Sequence, residues 1–138
     1  MPKYDDPSWH FSDDHADEAA YTHIAFFYVW AVSQDLAKEP DTYETPKNRQ
    51  RLAERAIKPR EYYLWIEGDK LTHHDLNDFG NAFAESYFSP AYFEDYAKVF
   101  GFTANSGDFY TVGDTWENFD RLADVLDKRF LDWCDAQA

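Results

Sequence analysis

The chain combines a large excess of acidic residues with a high content of aromatic residues. It has 27 Asp and Glu against 13 Lys and Arg, a net charge of -14, together with 12 Phe, 10 Tyr and 5 Trp. Acidity alone would favour disorder, because a highly charged chain with little apolar surface cannot offset its ordering entropy. Each buried ring, however, removes roughly 150–250 Å² from water. The sequence therefore predicts a folded, ring-rich core with a strongly negative surface.

The length indicates one domain, and the single cysteine gives no sign of an oxidising compartment. A chain of 138 residues has the usual size of a single domain, about 100–150 residues. Cys134 is the one cysteine, so no internal disulfide can form. The N-terminus lacks the apolar run of a signal peptide, and the longest apolar stretch, 24–32, is shorter than the ~20 residues of a membrane span. We expect a soluble, cytoplasmic protein with one domain over residues 1–138.

The sign of the charge separates classes of partner. Nucleic acids and anionic membranes attract basic surfaces, so neither is an expected partner of this chain. A basic protein would be attracted and steered towards it. The equally weighted alternative is that the acidic surface only keeps the protein soluble. Residues 38–60 form a basic segment, with seven basic and four acidic residues and a net charge of +3, which could pair with acidic regions of the same molecule.

Cap residues and apolar spacing predict six helices and an all-α fold. Gly is scarce, with five in total, and Ser, Thr, Asp or Pro stand where several helices would begin. The first predicted helix is apolar nearly all round, which is typical of a helix buried on most sides. The last has the clearest amphipathic spacing in the chain. The predicted helices are 17–37, 45–57, 59–67, 72–88, 89–101 and a last one from 114 onwards.

Several boundaries depend on single residues. Pro40 and Gly68 are expected to end the first and third helices. Thr72 with Asp75 three residues later, and Asp114 with Glu117, resemble capping boxes that begin helices. Residues 102–113 break the helical pattern, and 109–112 could form a short extended segment in this irregular loop.

Some polar residues have spacings that suggest chemistry but arise easily by chance. His74 and Asp78 have the i, i+4 spacing of metal ligands on a helix, yet two ligands do not form a site. We favour a polar first turn for His73 and His74. Adjacent carboxylates are common in so acidic a chain and give only a weak signal for acid–base catalysis. The pairs are Asp5-Asp6, Asp13-Asp14 and Glu94-Asp95.

The N-terminal histidines are the other candidates for chemistry. His10, His15 and His23 could assemble with Asp residues into a metal or acid–base centre. A single histidine on an apolar helix, such as His23, is more often part of the core. No phosphate-binding loop or nucleophile motif is present in the sequence. We therefore assign no catalytic residue, no metal ligand and no cofactor.

The segment from Gly107 to Asn118, which leads into the last predicted helix, is the predicted binding surface. Loops often carry function, and Tyr or Trp beside acidic residues make good anchors for a basic partner. Trp116 could instead pack into the core, and Asp114 and Glu117 could instead cap the last helix. Asp108 and Tyr110 have no such structural role in the predicted fold. The candidate partner-binding residues are Asp108, Tyr110, Asp114 and Glu117.

Three segments carry a resemblance to a known group of proteins. They are PKYDDPSWH, LTHHDLNDFGNAFAESYFSPAYFEDYAKVFG and DFYTVGDTWENFDRLADVLDKRFLDW. The chain resembles a family of small acidic bacterial proteins that are similar to immunity proteins. Immunity proteins neutralise secreted antibacterial toxins inside the producing cell. The resemblance thus implies a cognate toxin as partner, and it brings no catalytic residue with it.

The leading hypothesis is an immunity protein that neutralises a basic toxin, such as a nuclease, through its acidic surface. Attraction between opposite charges would speed the encounter, and aromatic anchors would slow release. Two alternatives belong to other classes. One is a metal-dependent enzyme that uses the N-terminal histidines and carboxylates, and the other is an oligomeric scaffold.

Overall fold

The computed structural model describes residues 3–12, 17–38, 45–65 and 70–137, and the fold is all-α, as the sequence predicts. The α-helices in these ranges are α1 (Thr22–Ser33), α2 (Thr45–Ala53), α3 (Pro59–Trp65), α4 (Asp78–Tyr87), α5 (Phe93–Phe100) and α6 (Trp116–Gln137). Shorter turns of 3₁₀ type lie at Pro7–His10, Asp17–Tyr21, His73–Asp75 and Gly107–Tyr110, and a turn of π type lies at Phe88–Tyr92. Strands β1 (Lys3–Asp5) and β2 (Leu71–Thr72) form a small antiparallel sheet.

Helix α1 is the centre of the core. All its residues from Thr22 to Ala31 are buried, which agrees with the apolar sequence of this segment. Rings from neighbouring helices pack around it. Tyr28 lies 5.6 Å from Tyr63 of α3, and Trp30 lies 5.6 Å from Phe83 of α4, measured between ring centroids. Contacts of this kind contribute about 0.5–1.5 kcal/mol per pair beyond the burial of area.

The first two helices are shorter than predicted. The segment 17–37 begins as a 3₁₀ turn, and its α-helix ends at Ser33 because Asp35 takes the left-handed conformation at φ 59°. Helix α2 likewise ends at Ala53, before Arg55 at φ 59°. Residues other than glycine adopt this conformation rarely, so the sequence pattern contained no signal for either end.

Other boundaries follow residues that the sequence singles out. Helix α3 begins at Pro59, as predicted. Pro40 and Gly68, expected to end the first and third helices respectively, lie outside the described residues. Gly101 ends α5 at φ 85°, a conformation that glycine adopts without steric cost. Helix α5 begins later than the predicted Ser89-Pro90, because the backbone of Ser89 is extended, with φ -121° and ψ 121°.

The predicted capping box at Thr72 is present but serves a different element. It caps the 3₁₀ turn His73–Asp75, where the Asp75 carboxylate accepts a hydrogen bond from the Thr72 backbone N–H at 2.9 Å. Helix α4 begins at Asp78, three residues after the end of this turn. The side chain of Asn77 caps it by accepting from the backbone N–H of Gly80 at 2.8 Å.

The short strands lie elsewhere than expected. Residues 109–112 do not form an extended segment, because Gly107–Tyr110 is a 3₁₀ turn. Instead β1 pairs with β2, with Lys3 opposite Thr72 and Asp5 opposite Leu71. This pairing fastens the N-terminal segment to the helical body and places Asp5 at the end of a strand beside the core.

The basic segment pairs with acidic residues of the same molecule, as the charge pattern suggested. The guanidinium of Arg55 donates to both carboxylate oxygens of Asp120, at 2.8 and 2.7 Å. The backbone N–H of Arg60 donates to the carboxylate of Asp114 at 2.8 Å, and its guanidinium lies 4.0 Å from the same carboxylate. Part of the positive charge of this segment is thus neutralised internally.

The capping of α6 differs from the prediction. The side chain of Thr115, rather than that of Asp114, accepts a hydrogen bond from the backbone N–H of Asn118, at 3.1 Å. The Asp114 carboxylate is buried and binds the start of α3 through Arg60. The sequence could not distinguish these roles, because a carboxylate can cap any helix start that the fold brings close to it.

Candidate functional site

Four polar side chains from distant parts of the chain meet at one edge of the core. They are Asp5, His10, His23 and Tyr110, which we call the Asp5 cluster. Asp5 ends β1, and His10 ends the 3₁₀ turn that follows. His23 lies in the first turn of α1, and Tyr110 ends the 3₁₀ turn Gly107–Tyr110.

The local sequence explains how His10 reaches Asp5. The carboxylate of Asp6 accepts from the backbone N–H of Ser8 at 2.9 Å and so caps the turn. Pro7 occupies the first position of the turn, where a missing N–H costs nothing. The turn reverses the chain after β1, and this reversal brings the His10 ring back over the carboxylate of Asp5.

Hydrogen bonds join the cluster into one chain. The two oxygens of Asp5 bind different rings: Oδ1 lies 2.6 Å from Nε2 of His10, and Oδ2 lies 2.7 Å from Nε2 of His23. An ionised carboxylate can only accept, so each Nε2 carries a hydrogen in this arrangement. In a neutral His10, Nδ1 then accepts from the hydroxyl of Tyr110, which lies 2.5 Å away.

Burial and hydrogen bonding together decide whether Asp5 and His23 are charged. Asp5 is 0% exposed and His23 is 1% exposed. Burial favours the neutral form of Asp5, but hydrogen bonds from His10 and His23 outweigh it and hold the pKa of Asp5 below its ordinary value. Burial also lowers the pKa of His23, and this effect exceeds the opposing attraction of Asp5. The cluster therefore contains an ionised carboxylate and a neutral buried imidazole.

The second nitrogen of His23 distinguishes it from an ordinary core histidine. Its Nδ1 is buried and has no hydrogen-bond partner among the described residues. Aromatic rings surround it, with Phe109 at 4.9 Å and Phe93 at 5.8 Å between ring centroids. A lone-pair nitrogen in such apolar surroundings is unusual, since most buried polar atoms are paired.

A shallow pocket of about 290 Å³ opens the cluster to the surface. His10 and Tyr110 line it, and its other lining residues are Trp9, Phe11, Ser12, Gly107 and Thr111. Trp9 is 60% exposed and Phe11 is 45% exposed, so two large rings stand in solvent at its rim. We call this the mouth pocket. It joins an exposed aromatic surface to the buried carboxylate through His10.

The structure separates the four predicted partner-binding residues. Tyr110 lines the mouth pocket, and Asp108 is exposed on the same 3₁₀ turn. Glu117 is exposed in the first turn of α6. Asp114 is buried and bonded to Arg60. Of the four, Tyr110 lines the mouth pocket, and Asp108 follows the lining residue Gly107 in the same 3₁₀ turn.

The other histidines lie apart from the cluster. His73 and His74 belong to the 3₁₀ turn before α4, and their ring centroids lie 4.0 Å apart with the rings tilted by 45°. Among the described residues, the group of His, Cys, Asp and Glu side chains with metal-ligand geometry is Asp5, His10 and His23. His15 lies outside the described residues. His10 and His23 thus meet, as one of the interpretations of the sequence anticipated.

Asp5 is the residue that sequence reasoning missed. In the sequence it is one of several adjacent carboxylate pairs in an acidic chain. Its role depends on the pairing of β1 with β2, whose strands are three and two residues long and lie almost half the length of the chain apart in sequence. Such short strands give no usable periodicity. The Pro7 turn, which follows Asp5-Asp6 directly, is the only local sign that the chain reverses at this point.

Comparison with known proteins identifies the family. The family model described as Domain of unknown function (DUF7832) matches residues 3–112, and the chain belongs to this family. The match includes every member of the Asp5 cluster and ends before α6. No curated protein and no solved structure matches the chain. Among the helices of the described residues, none has the length and apolarity needed to cross a membrane.

Proposed function

We propose that the protein is an inhibitory binding protein of the immunity type, which captures a basic protein toxin in the cytoplasm. The observation that carries the proposal is the mouth pocket, which Trp9, Phe11 and Tyr110 line, with the exposed Asp108 on the same 3₁₀ turn as Tyr110. It combines exposed rings with an acidic residue on a chain of net charge -14.

Charge supports a basic partner. Short ion pairs neutralise few of the exposed carboxylates in the described part of the chain, and the clearest case is Asp120 with Arg55 at 2.7 Å. Most of the acidic excess therefore remains on the surface and attracts positive charge over about one Debye length, near 8 Å at physiological salt. A nuclease toxin, whose cleft holds phosphate, presents such a positive surface.

The rings at the mouth pocket support tight contact. Large aromatic side chains at the centre of interfaces account for much of the binding energy in known complexes. An Arg or Lys side chain of the partner can lie over the indole of Trp9, where cation–π attraction contributes about 0.5–2 kcal/mol. Asp108 on the neighbouring turn can then accept its hydrogen bonds.

Growth of a bacterial host tests the proposal. The polypeptides encoded beside the gene for this chain are expressed one at a time, with and without the protein. We expect one of them to arrest growth and the wild-type protein to restore it. If none is toxic, or if the protein restores no growth, the proposal is wrong.

The surface is tested with matched variants. Trp9→Ala and Asp108→Asn should weaken binding to that partner by about 10-fold or more each. Trp65 is the control, because it is 50% exposed and lies on α3, outside the mouth pocket. Trp65→Ala should bind like the wild type. If Trp9→Ala and Trp65→Ala weaken binding equally, the contact surface lies elsewhere. The association rate should also fall at least about 10-fold between roughly 50 and 500 mM salt.

A further inference from the structure

We propose that Asp5, His10 and His23 bind one divalent transition-metal ion, with the Asp5 carboxylate and the Nε2 atoms of both histidines as ligands. Each residue offers one ligand atom, and these atoms all lie within 4.8 Å of one another. Two imidazole nitrogens and a carboxylate oxygen form a typical ligand set for Zn²⁺ and neighbouring first-row ions. The inference does not depend on the partner protein proposed above.

Charge is the first argument for an ion. The Asp5 carboxylate is fully buried, and its hydrogen-bond donors are the two histidine rings and the backbone N–H of Asp6 at 2.8 Å. Among the described residues, no Lys or Arg contacts it. Buried carboxylates are normally paired with a cation or bound to a metal. A divalent ion between Asp5 and the two rings would supply the positive charge.

Distances are the second argument. In a tetrahedral site with bonds of about 2.0–2.2 Å, ligand atoms lie about 3.3–3.5 Å apart. The present separations from Asp5 are 2.6 Å to His10 and 2.7 Å to His23, so each must widen by less than about 1 Å. The side chain of His10 is 15% exposed and that of His23 is 1% exposed. His10 is therefore the ligand that would move.

The two histidines differ in whether their Nδ1 atom has a hydrogen-bond partner that would support metal binding. Histidines that bind a metal through Nε2 donate their other N–H to a neighbouring group. For His10 that group is the hydroxyl of Tyr110. His23 would carry an N–H at Nδ1 with no acceptor among the described residues. The loss of one hydrogen bond is small beside the binding free energy of a protein-bound zinc ion, so it lowers affinity without preventing binding.

The mouth pocket gives the ion a route of entry. His10 lines this pocket as well as contacting Asp5. Three protein ligands leave at least one coordination position for water or another small molecule. That position would lie on the His10 side, since His23 is enclosed by Phe93 and Phe109.

Titration of the full chain with Zn²⁺ and with Co²⁺ tests the site, after treatment with a chelator and its removal. We expect one ion per chain by calorimetry, and visible absorption bands from bound Co²⁺. His10→Ala should weaken Zn²⁺ binding at least about 100-fold, because loss of a ligand exceeds the effect of losing an outer contact. His74→Ala is the control, since His74 is exposed and outside the cluster. It should leave the affinity unchanged.

Nuclear magnetic resonance of the histidine rings keeps the test decisive if His10→Ala does not fold. Zn²⁺ should shift the ring nitrogens of His10 and His23 in the wild-type protein, and those of His74 should remain in place. The proposal is overturned if neither ion binds at stoichiometric concentration, or if His10→Ala binds as tightly as the wild type. It is also overturned if the ring signals show that Nε2 of His10 keeps its hydrogen in the presence of Zn²⁺, because that hydrogen then occupies the ligand position.

Discussion

Asp5 and Asp95 are both buried aspartates, but different partners hold them. The carboxylate of Asp95 accepts from the Arg129 guanidinium through both oxygens, at 2.9 and 3.0 Å, and from the hydroxyl of Tyr87 at 2.6 Å. Arg129 provides a permanent positive charge between α5 and α6. Asp5 has two imidazoles instead, whose nitrogens can carry either a proton or a metal ion.

The type of partner determines whether each aspartate can bind a further ligand. An Arg pair is fixed in charge and geometry, so the Asp95 contact joins two helices and has no capacity for a further ligand. The side chain of Arg129 is 52% exposed, so water can solvate it if the pair breaks. The partners of Asp5 lie deeper and have no such access on the His23 side. The two sites should therefore respond differently to the same substitutions.

Removal of the Asp5 carboxylate should have the largest effect on stability. Asp5→Ala leaves the N–H groups of His10 and His23 without their acceptor, and each unsatisfied buried group costs about 1–3 kcal/mol. We expect the free energy of unfolding to fall by about 3 kcal/mol. Urea denaturation followed by circular dichroism measures it. A loss below about 1 kcal/mol would show that the two rings find other partners or water.

Asp95→Ala should cost less than Asp5→Ala, by the same measurement. The half-exposed Arg129 regains water, so the main loss is the hydrogen bond of Tyr87 and the contact between α5 and α6. We expect about 2 kcal/mol. Salt should also reduce the stability of the wild type more than that of Asp95→Ala, because the solvent-exposed side of this ion pair is screened. If Asp5→Ala and Asp95→Ala lower the free energy of unfolding equally, the exposure of the partner side chain does not determine the cost.

The same comparison shows how far sequence reasoning reached. The apolar run of α1, the stripe of α6 and Gly101 each predicted local structure, because helix burial and capping depend on neighbours a few residues away. The Asp5 cluster depends on contacts between distant residues. Tyr110 lies 100 positions from His10, and His23 lies 18 from Asp5. The residue types alone made His10 and His23 candidates for a metal or acid–base centre. Their contact with Asp5 is visible only in the folded structure.

The smallest expected effect is at Tyr110, and Tyr87 is its matched control. Tyr87 is buried and its hydroxyl donates to the charged carboxylate of Asp95, whereas Tyr110 is half-buried and its hydroxyl bonds Nδ1 of His10, which is an uncharged acceptor in the tautomer with its hydrogen on Nε2. Hydrogen bonds to charged groups contribute about 1.5–3 kcal/mol and neutral ones about 0.5–1.5. Tyr87→Phe should therefore cost about 1.5 kcal/mol and Tyr110→Phe about 0.5 kcal/mol, measured by urea denaturation.

The reverse order would contradict the assignment of charge. If Tyr110→Phe were the more damaging change, His10 would have to be positively charged, with its Nδ1–H donated to the tyrosine oxygen. The Asp5 cluster would then contain an ion pair like that of Asp95 and Arg129, and it would have no need of a metal ion. Stability and Zn²⁺ titration of the same two variants therefore both report on the protons of His10, since a ring that binds Zn²⁺ through Nε2 keeps its hydrogen on Nδ1 and donates it to the Tyr110 oxygen.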